Sequence, residues 1–222
     1  MGIRVTLYDL FAYTIPGGFY IATFFYFGVL LGLVKIDFQT LSNLMATQII
    51  ALTIVAYIIG LIFDPLSRPW YFEVFKGKKT FSPSTLDRLN SRSPIKIITG
   101  HENAFILLKY IRTQPNNDSD SIDRFNATSI MLRNISFSLL LDSLVTIILI
   151  FQTNFYFLNI VLMLVFLGLS VLAGREAVRF HKWFYSSIYE SAIAFGLKTD
   201  DYLSREKQSR KHKEPGEKSP GS

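Results

Sequence analysis

"LMATQIIALTIVAYIIGLIF", residues 44–63, carries no charged side chain anywhere along its length. At a rise of about 1.5 Å per residue, roughly 20 such residues in a helix cross the ~30 Å hydrocarbon core of a bilayer, and this run is read as a membrane span. An earlier run, Phe11 to Val34, is equally free of charge. Two more lie toward the other end: Ile135 to Phe151, interrupted by Asp142, and Phe155 to Ala173, separated from it only by Gln152, Thr153 and Asn154. The expected architecture is all-α, with four spans of which the last two form a tight hairpin, a helical cytoplasmic insertion and a C-terminal helix.

By length the 222 residues would suit one soluble domain, but the apolar half of the composition is clustered rather than spaced along amphipathic faces. The absence of cysteine excludes disulfides and thiolate metal sites. The first apolar run does not read as a cleaved signal peptide, because it is too long, only Arg4 precedes it and no small-x-small site follows.

Basic residues orient spans, since Lys and Arg are retained on the cytoplasmic side. Of the 23 Lys and Arg, only Lys35 falls on the far side of a four-span layout with both termini cytoplasmic. A missed or extra span would place a large basic segment outside. The formal charge of +6 suits an anionic lipid surface. No basic groove with interleaved aromatics is visible, so nucleic acid is not expected as a partner.

This layout divides the chain into residues 1–63 (N-terminal segment and spans one and two), 64–134 (cytoplasmic insertion), 135–173 (spans three and four), 174–203 (cytoplasmic amphipathic helix) and 204–222 (disordered tail). Pro65, Pro69, Pro83, Pro94 and Pro115 are expected to cut the insertion into short pieces. Its helices are placed at Pro83–Asn90, at His101–Arg112 and from Ser121 onward into the third span. Beyond the fourth span, Phe180, Phe184, Ile188, Ala192 and Phe195 share one helical face, with Lys182, Ser186 and Glu190 on another. The tail from Ser204 is charged and almost free of apolar residues, which predicts disorder.

Pro16, Gly17 and Gly18 sit inside the first run and oppose a helix interior. Two readings fit equally. The spanning helix starts at Pro16, after an interfacial helix Val5–Tyr13 anchored by Tyr8 and Tyr13, or one continuous helix is kinked there. Gly28 and Gly32 have the spacing of a small-residue packing motif. Gly60 shares a face with Thr53, Tyr57 and Asp64, which also suggests helix packing.

Asn134, Ser138, Asp142 and Thr146 follow at steps of four and form a polar seam on the third span. A carboxylate inside a span is costly, by about 2.5–3.5 kcal/mol on insertion scales, unless it finds a partner, water or a proton. The seam therefore lines a hydrated path or an interhelical network; alternatively the span begins later and Asp142 lies near the headgroups. Lys76, Lys78 and Lys79 form the one tight basic cluster of the insertion, a candidate contact for a cytosolic partner.

Other motifs fall short of chemistry. Arg175 and His181 have the Arg-x5-His form of HEPN ribonucleases, yet on a regular helix positions six apart point about 240° from each other. His101-Glu102 begins a zinc-binding helix, but Phe105 stands where its second histidine belongs. Gly77–Thr80 ends like a phosphate loop, but the first glycine of that loop is replaced by Phe72. Asn126-Ala-Thr128 is a glycosylation sequon that the topology leaves unused. No catalytic residue, metal set or cofactor motif is assigned.

"YDLFAYTIPGG", with Tyr8-Asp9 and Pro16-Gly17, together with four spans, a basic insertion and a charged helical tail, resembles small multi-span proteins encoded beside prokaryotic antiphage systems. These include CRISPR accessory membrane proteins and the membrane subunit of Kiwa. The resemblance implies action at the prokaryotic inner membrane, by oligomeric assembly with a cytosolic partner or by permeabilising the bilayer. The expected function is a non-enzymatic homo-oligomer acting as a gated pore or membrane-perturbing effector, with Asp142 facing a subunit or hydrated interface. The alternative is a membrane anchor or sensor that recruits a cytosolic effector.

Overall fold

The computed structural model describes residues 7–33, 45–76, 101–113, 119–152 and 156–194. They form five α-helices: α1 (Leu7–Leu30), α2 (Ala46–Tyr71), α3 (His101–Ile111), α4 (Ser119–Gln152) and α5 (Tyr156–Ala194), with a π-helical turn at Phe72–Lys76 closing α2. No strand occurs among the described residues, so the class is all-α. Four of the helices, all but α3, are long and apolar enough to cross a membrane, which makes this a multi-pass membrane protein.

The surface of these helices supports that assignment. On α2, Ile50, Ile54, Ile58 and Ile62 are all about half exposed or more, and on α5 Phe157, Leu164 and Leu172 are as well. In water so continuous an apolar face would drive association, whereas against lipid tails it needs no cover. Inside, α4 is the most enclosed of the four spans, with 44% of its apolar window buried against 17% for α2 and α5.

Three prolines are accommodated within helices. α1 runs unbroken from Leu7 through Pro16, which is fully buried, so Leu7–Tyr13 belongs to the continuous helix rather than to a separate interfacial one. α2 likewise passes through Pro65 and Pro69, correcting the expectation that these cut the insertion into pieces. A proline removes a single bond to the carbonyl four residues back, and in spanning helices neighbouring groups compensate. After Pro69 the chain does change winding: the Phe72 amide reaches both Arg68 O and Pro69 O, and the π-turn begins there. The proposed helix at Pro83–Asn90, the residues Lys78 and Lys79, and the tail 204–222 lie outside the described residues.

The glycines sort by what stands beside them. A Cβ on Gly17 would overlap the Ala56 carbonyl of α2, and one on Gly60 would overlap the Tyr13 carbonyl of α1. Gly17 and Gly60 are thus where the two backbones touch, which explains the glycine directly after Pro16. Tyr13 and Tyr57 meet edge-on beside this contact, their centroids 6.0 Å apart. Gly32 has a different role from the packing one expected. Its φ is +68° and nothing lies within 4 Å of its missing Cβ. Leu33 N donates to Gly28 O at 3.0 Å and Gly32 N to Val29 O at 3.0 Å, the paired bonds of a Schellman cap. Gly28 and Gly32 are four apart because they are the two ends of that cap.

The chain divides into two compact units. The first holds α1, α2, its π-turn, α4 from Asp120, and α5 to Phe184. Within it α4 and α5 form an antiparallel hairpin stitched at heptad intervals. Ser129 Oγ donates to Ala177 O (2.9 Å), Ser136 Oγ to Ser170 O (2.8 Å) and Ser143 Oγ to Met163 O (3.3 Å). Ser170 Oγ returns a bond to Ser136 O at 2.7 Å. Small side chains let the helices approach, and the seven-residue repeat keeps the seam facing its partner. The second unit contains α3 and the end of α5. Ala104, Leu107, Leu108 and Ile111 are buried on one, Tyr185, Ile188, Tyr189 and Ala192 on the other, each set at the i, i+3, i+4, i+7 spacing of an amphipathic helix. The amphipathic helix expected at 174–203 is the continuation of the fourth span and ends as α5 at Ala194.

The adjacent glycines of α1 provide a paired test. Gly17→Ala is expected to lower the melting temperature of the detergent-solubilised protein, at an overpacking cost of about 1–3 kcal/mol. Gly18→Ala, where nothing lies within 4 Å of the new methyl, should be tolerated or slightly stabilising. Equal melting temperatures for the two variants would refute the α1–α2 contact.

Candidate functional site: a polar network among α1, α2 and α4

The four seam residues of α4 are all buried: Asn134, Ser138, Asp142 and Thr146. Asn134 meets the protein's own α2 and Ser138 its own α1, and Asp142 and Thr146 are enclosed with them, so the seam is an interhelical network rather than the subunit or hydrated interface expected for Asp142. Thr23 of α1 lies 3.2 Å from Ser138 Oγ and donates to Phe19 O at 3.0 Å. Thr146 Oγ1 turns back to Asp142 O at 2.7 Å. Tyr20 OH donates to Asn134 O at 3.0 Å, and its ring stacks on Phe63 of α2 at 4.5 Å. The pairings Tyr20–Asn134 and Thr23–Ser138 advance together along both chains, so α1 and α4 run parallel here.

The lower end of the seam joins a charged cluster. Asp64 of α2 is only 4% exposed, yet it is ionisable and stands within a helix apolar enough to span a membrane. Its carboxylate pairs with Arg133 of α4 through Oδ1, which also accepts Asn134 Nδ2–H at 3.2 Å. Oδ2 takes Arg68 Nη2 and Nε at 2.9 and 3.2 Å. Ser67 completes the group: its hydroxyl accepts Arg133 Nε–H at 3.2 Å and reaches both Asp64 O and Asn134 Oδ1 with its single proton. Arg133 Cζ is 5.9 Å from the centre of the Tyr71 ring. One acid and two guanidinium groups leave the cluster with one excess positive charge.

The local sequence explains the convergence. Asp64, Ser67 and Tyr71 recur at three and four residues on α2 and are all buried, so one face of that helix carries the cluster. Below it, Trp70 Nε1 donates to Ser136 Oγ at 3.2 Å, joining this network to the serine hairpin. A Cβ on Gly174 of α5 would overlap the ring of Phe75, so the π-turn seats its phenylalanine in a notch that only glycine leaves open.

Of the residues singled out in the sequence, the structure brings Asn134 and Gly60 to interhelical contacts and assigns Gly32 to a cap; for Lys76 it gives only a place in the π-turn. Arg175 and His181 stay on an unbroken α5 and do not converge. His181 instead lies among aromatic rings, 6.2 Å from Tyr71 and 6.4 Å from Phe184. The Asp64–Arg133 pair and the heptad serines were not singled out. Signals for both exist: Asp64 follows directly on a charge-free run, Arg133 stands just before the apolar run Ile135–Phe151, and Ser129, Ser136 and Ser143 are spaced by seven. The chain matches no protein-family model, no curated protein and no solved structure.

The arrangement holds one acid and two guanidinium groups in direct contact, tied to neighbouring polar groups by hydrogen bonds. Removing one member of a buried pair leaves the other uncompensated, at a cost of about 3–5 kcal/mol, whereas an exposed pair contributes about 0.2–1 kcal/mol. Arg133→Gln is therefore expected to lower the melting temperature in detergent by roughly 6–20 °C, and Arg68→Gln, whose side chain is 58% exposed, by far less. The double variant Asp64→Asn/Arg133→Gln should recover part of the loss. If it melts no higher than Arg133→Gln alone, the two residues do not act as a pair.

Proposed function

We propose that the protein is a non-enzymatic membrane anchor or sensor whose basic, cytoplasmic side recruits a partner protein. The observation that carries this reading is the enclosure of the α4 seam. Its polar groups are met by Tyr20, Thr23, Asp64 and Ser67 of the same chain, so a second copy or a water path gains none of them. The outward faces of α2 and α5 are apolar and suited to lipid, which favours residence in the bilayer over conduction through it. A pore built from several copies, the reading first expected, would have to line its path with groups other than this seam.

Orientation comes from the basic residues: with Lys35 alone on the opposite side, both termini and the segment that joins α2 to α4 belong to the cytoplasm. The prokaryotic inner membrane and an antiphage role enter the proposal through the resemblance in layout. Lys76, Lys78 and Lys79 are the proposed point of contact with the cytosolic partner.

The cysteine-free chain makes topology directly measurable. In intact spheroplasts, Lys35→Cys should react with an impermeant maleimide, and Glu102→Cys should react only once the membrane is opened. The reverse labelling pattern would overturn the orientation. In dye-loaded proteoliposomes the purified protein should release no more dye than empty vesicles, with Asp142→Asn unchanged. Release that depends on Asp142 would restore the pore and remove the anchor.

A further inference from the structure

An open cleft of about 420 Å³ lies between the first half of α1 and the first half of α4. Tyr8, Phe11 and Ile15 line it from α1, and Arg124, Ala127 and Met131 from α4. Tyr8, Phe11 and Ile15 are each 40% exposed or more, so the cleft opens on the outside of the bundle rather than into its core. Apart from Thr128, its walls are apolar except at one end. There stands Arg124, exposed, its Cζ 5.7 Å from the ring of Phe125. Among the described residues no ion pair engages Arg124, whereas Asp64 takes both Arg68 and Arg133 and Glu176 takes Arg179 at 3.6 Å.

The position of the cleft decides what can occupy it. The apolar window of α1 begins at Leu10, level with the cleft, so its Arg124 end lies at the border between hydrocarbon and water. The surroundings have the composition of such a border. Phe125, Phe180 and Trp183 form a cluster with centroids 5.0 to 6.3 Å apart, and Arg179 Cζ lies 4.6 Å over the Trp183 ring. Tryptophan and arginine at headgroup depth are the usual anchors of a spanning helix. From Arg124 to Met131 the cleft runs about 10 Å along α4, room for the upper part of one acyl chain.

We infer that this cleft binds an anionic phospholipid, with the phosphate on Arg124 and an acyl chain against Phe11, Ile15, Ala127 and Met131. A zwitterionic lipid offers the same chain but pairs its phosphate with its own cation. A soluble phosphate ester offers the charge without the chain. Both features of the site are used only by an anionic lipid, and the inference does not depend on which side of the membrane the cleft faces.

The test is native mass spectrometry of the full chain released from detergent, with phosphatidylglycerol and phosphatidylcholine supplied in equal amounts. Phosphatidylglycerol adducts should dominate. Arg124→Gln, at an exposed position and so without consequence for folding, should weaken phosphatidylglycerol retention roughly tenfold, the loss expected of one charge-assisted contact. Met131→Trp, which fills the cleft and leaves Arg124 in place, should also reduce it. If that variant does not fold, Ile15→Trp does the same from the other wall. Equal retention of the two lipids would overturn the inference, as would unchanged retention in Arg124→Gln. Binding of glycerol 3-phosphate as strong as that of phosphatidylglycerol would make this a site for a soluble phosphate and would also overturn it.

Discussion

A carboxylate and a guanidinium buried together between two apolar helices constrain everything around them. If Asp64 and Arg133 part within the bundle, the buried guanidinium loses its counter-ion and the carboxylate keeps only the half-exposed Arg68, in a medium that solvates charge poorly. Their pairing therefore fixes the rotation of α2 and α4, and with it the faces both helices present. Once that rotation is set, Ser67 and Tyr71 point inward on α2, and Asn134, Ser138, Asp142 and Thr146 point inward on α4. The hydrophobic effect supplies little of this specificity, because lipid tails are as apolar as leucine and give no reason to bury one apolar face rather than another. Hydrogen bonds and close backbone approach supply it instead, at Gly17 against Ala56 and Gly60 against Tyr13.

α4 carries polar side chains on two sides and is occupied on both. Its i, i+4 seam meets α1 and α2, and its i, i+7 serines meet α5. Such a helix would be unstable facing lipid, which is why it takes the most buried place of the four. The same logic explains the aliphatic outer faces of α2 and α5: polar groups are spent where a partner helix can answer them, and lipid receives the rest.

The all-α class and the four spanning helices were legible in the sequence because length and the absence of charge are the two quantities a bilayer tests. The polar seam was legible as a helical stripe, since a spacing of four needs no knowledge of neighbours. Its facing was not legible, because Ser138 meets Thr23 only through a contact 115 residues away in the chain. Proline misled for a related reason: Pro65 and Pro69 break helices exposed to water, but here they follow Asp64, whose pairing with Arg133 holds α2 in place past them. Gly28 and Gly32 misled because a Schellman cap and a small-residue packing motif share a spacing of four. Only φ at Gly32 separates them.

The unbroken course of α4 links the charged cluster to the open cleft. Arg133 and Arg124 stand nine residues apart on it, roughly 13 Å along the axis, one locked to Asp64 and the other at the mouth of an open cleft. A ligand bound between α1 and α4 at Arg124 bears on the same pair of helices that Tyr20 joins to Asn134 and Thr23 to Ser138. Packed helices shift as rigid bodies more readily than they bend, so a change in α1–α4 spacing at the cleft is felt at the Asp64 cluster. Arg68, half in solvent and holding the second oxygen of Asp64, is the member of that cluster placed to report such a shift outside the bundle. The proposed lipid and the proposed sensor would share one route: a ligand at Arg124, the continuous helix α4, and the Asp64–Arg133 pair further along it.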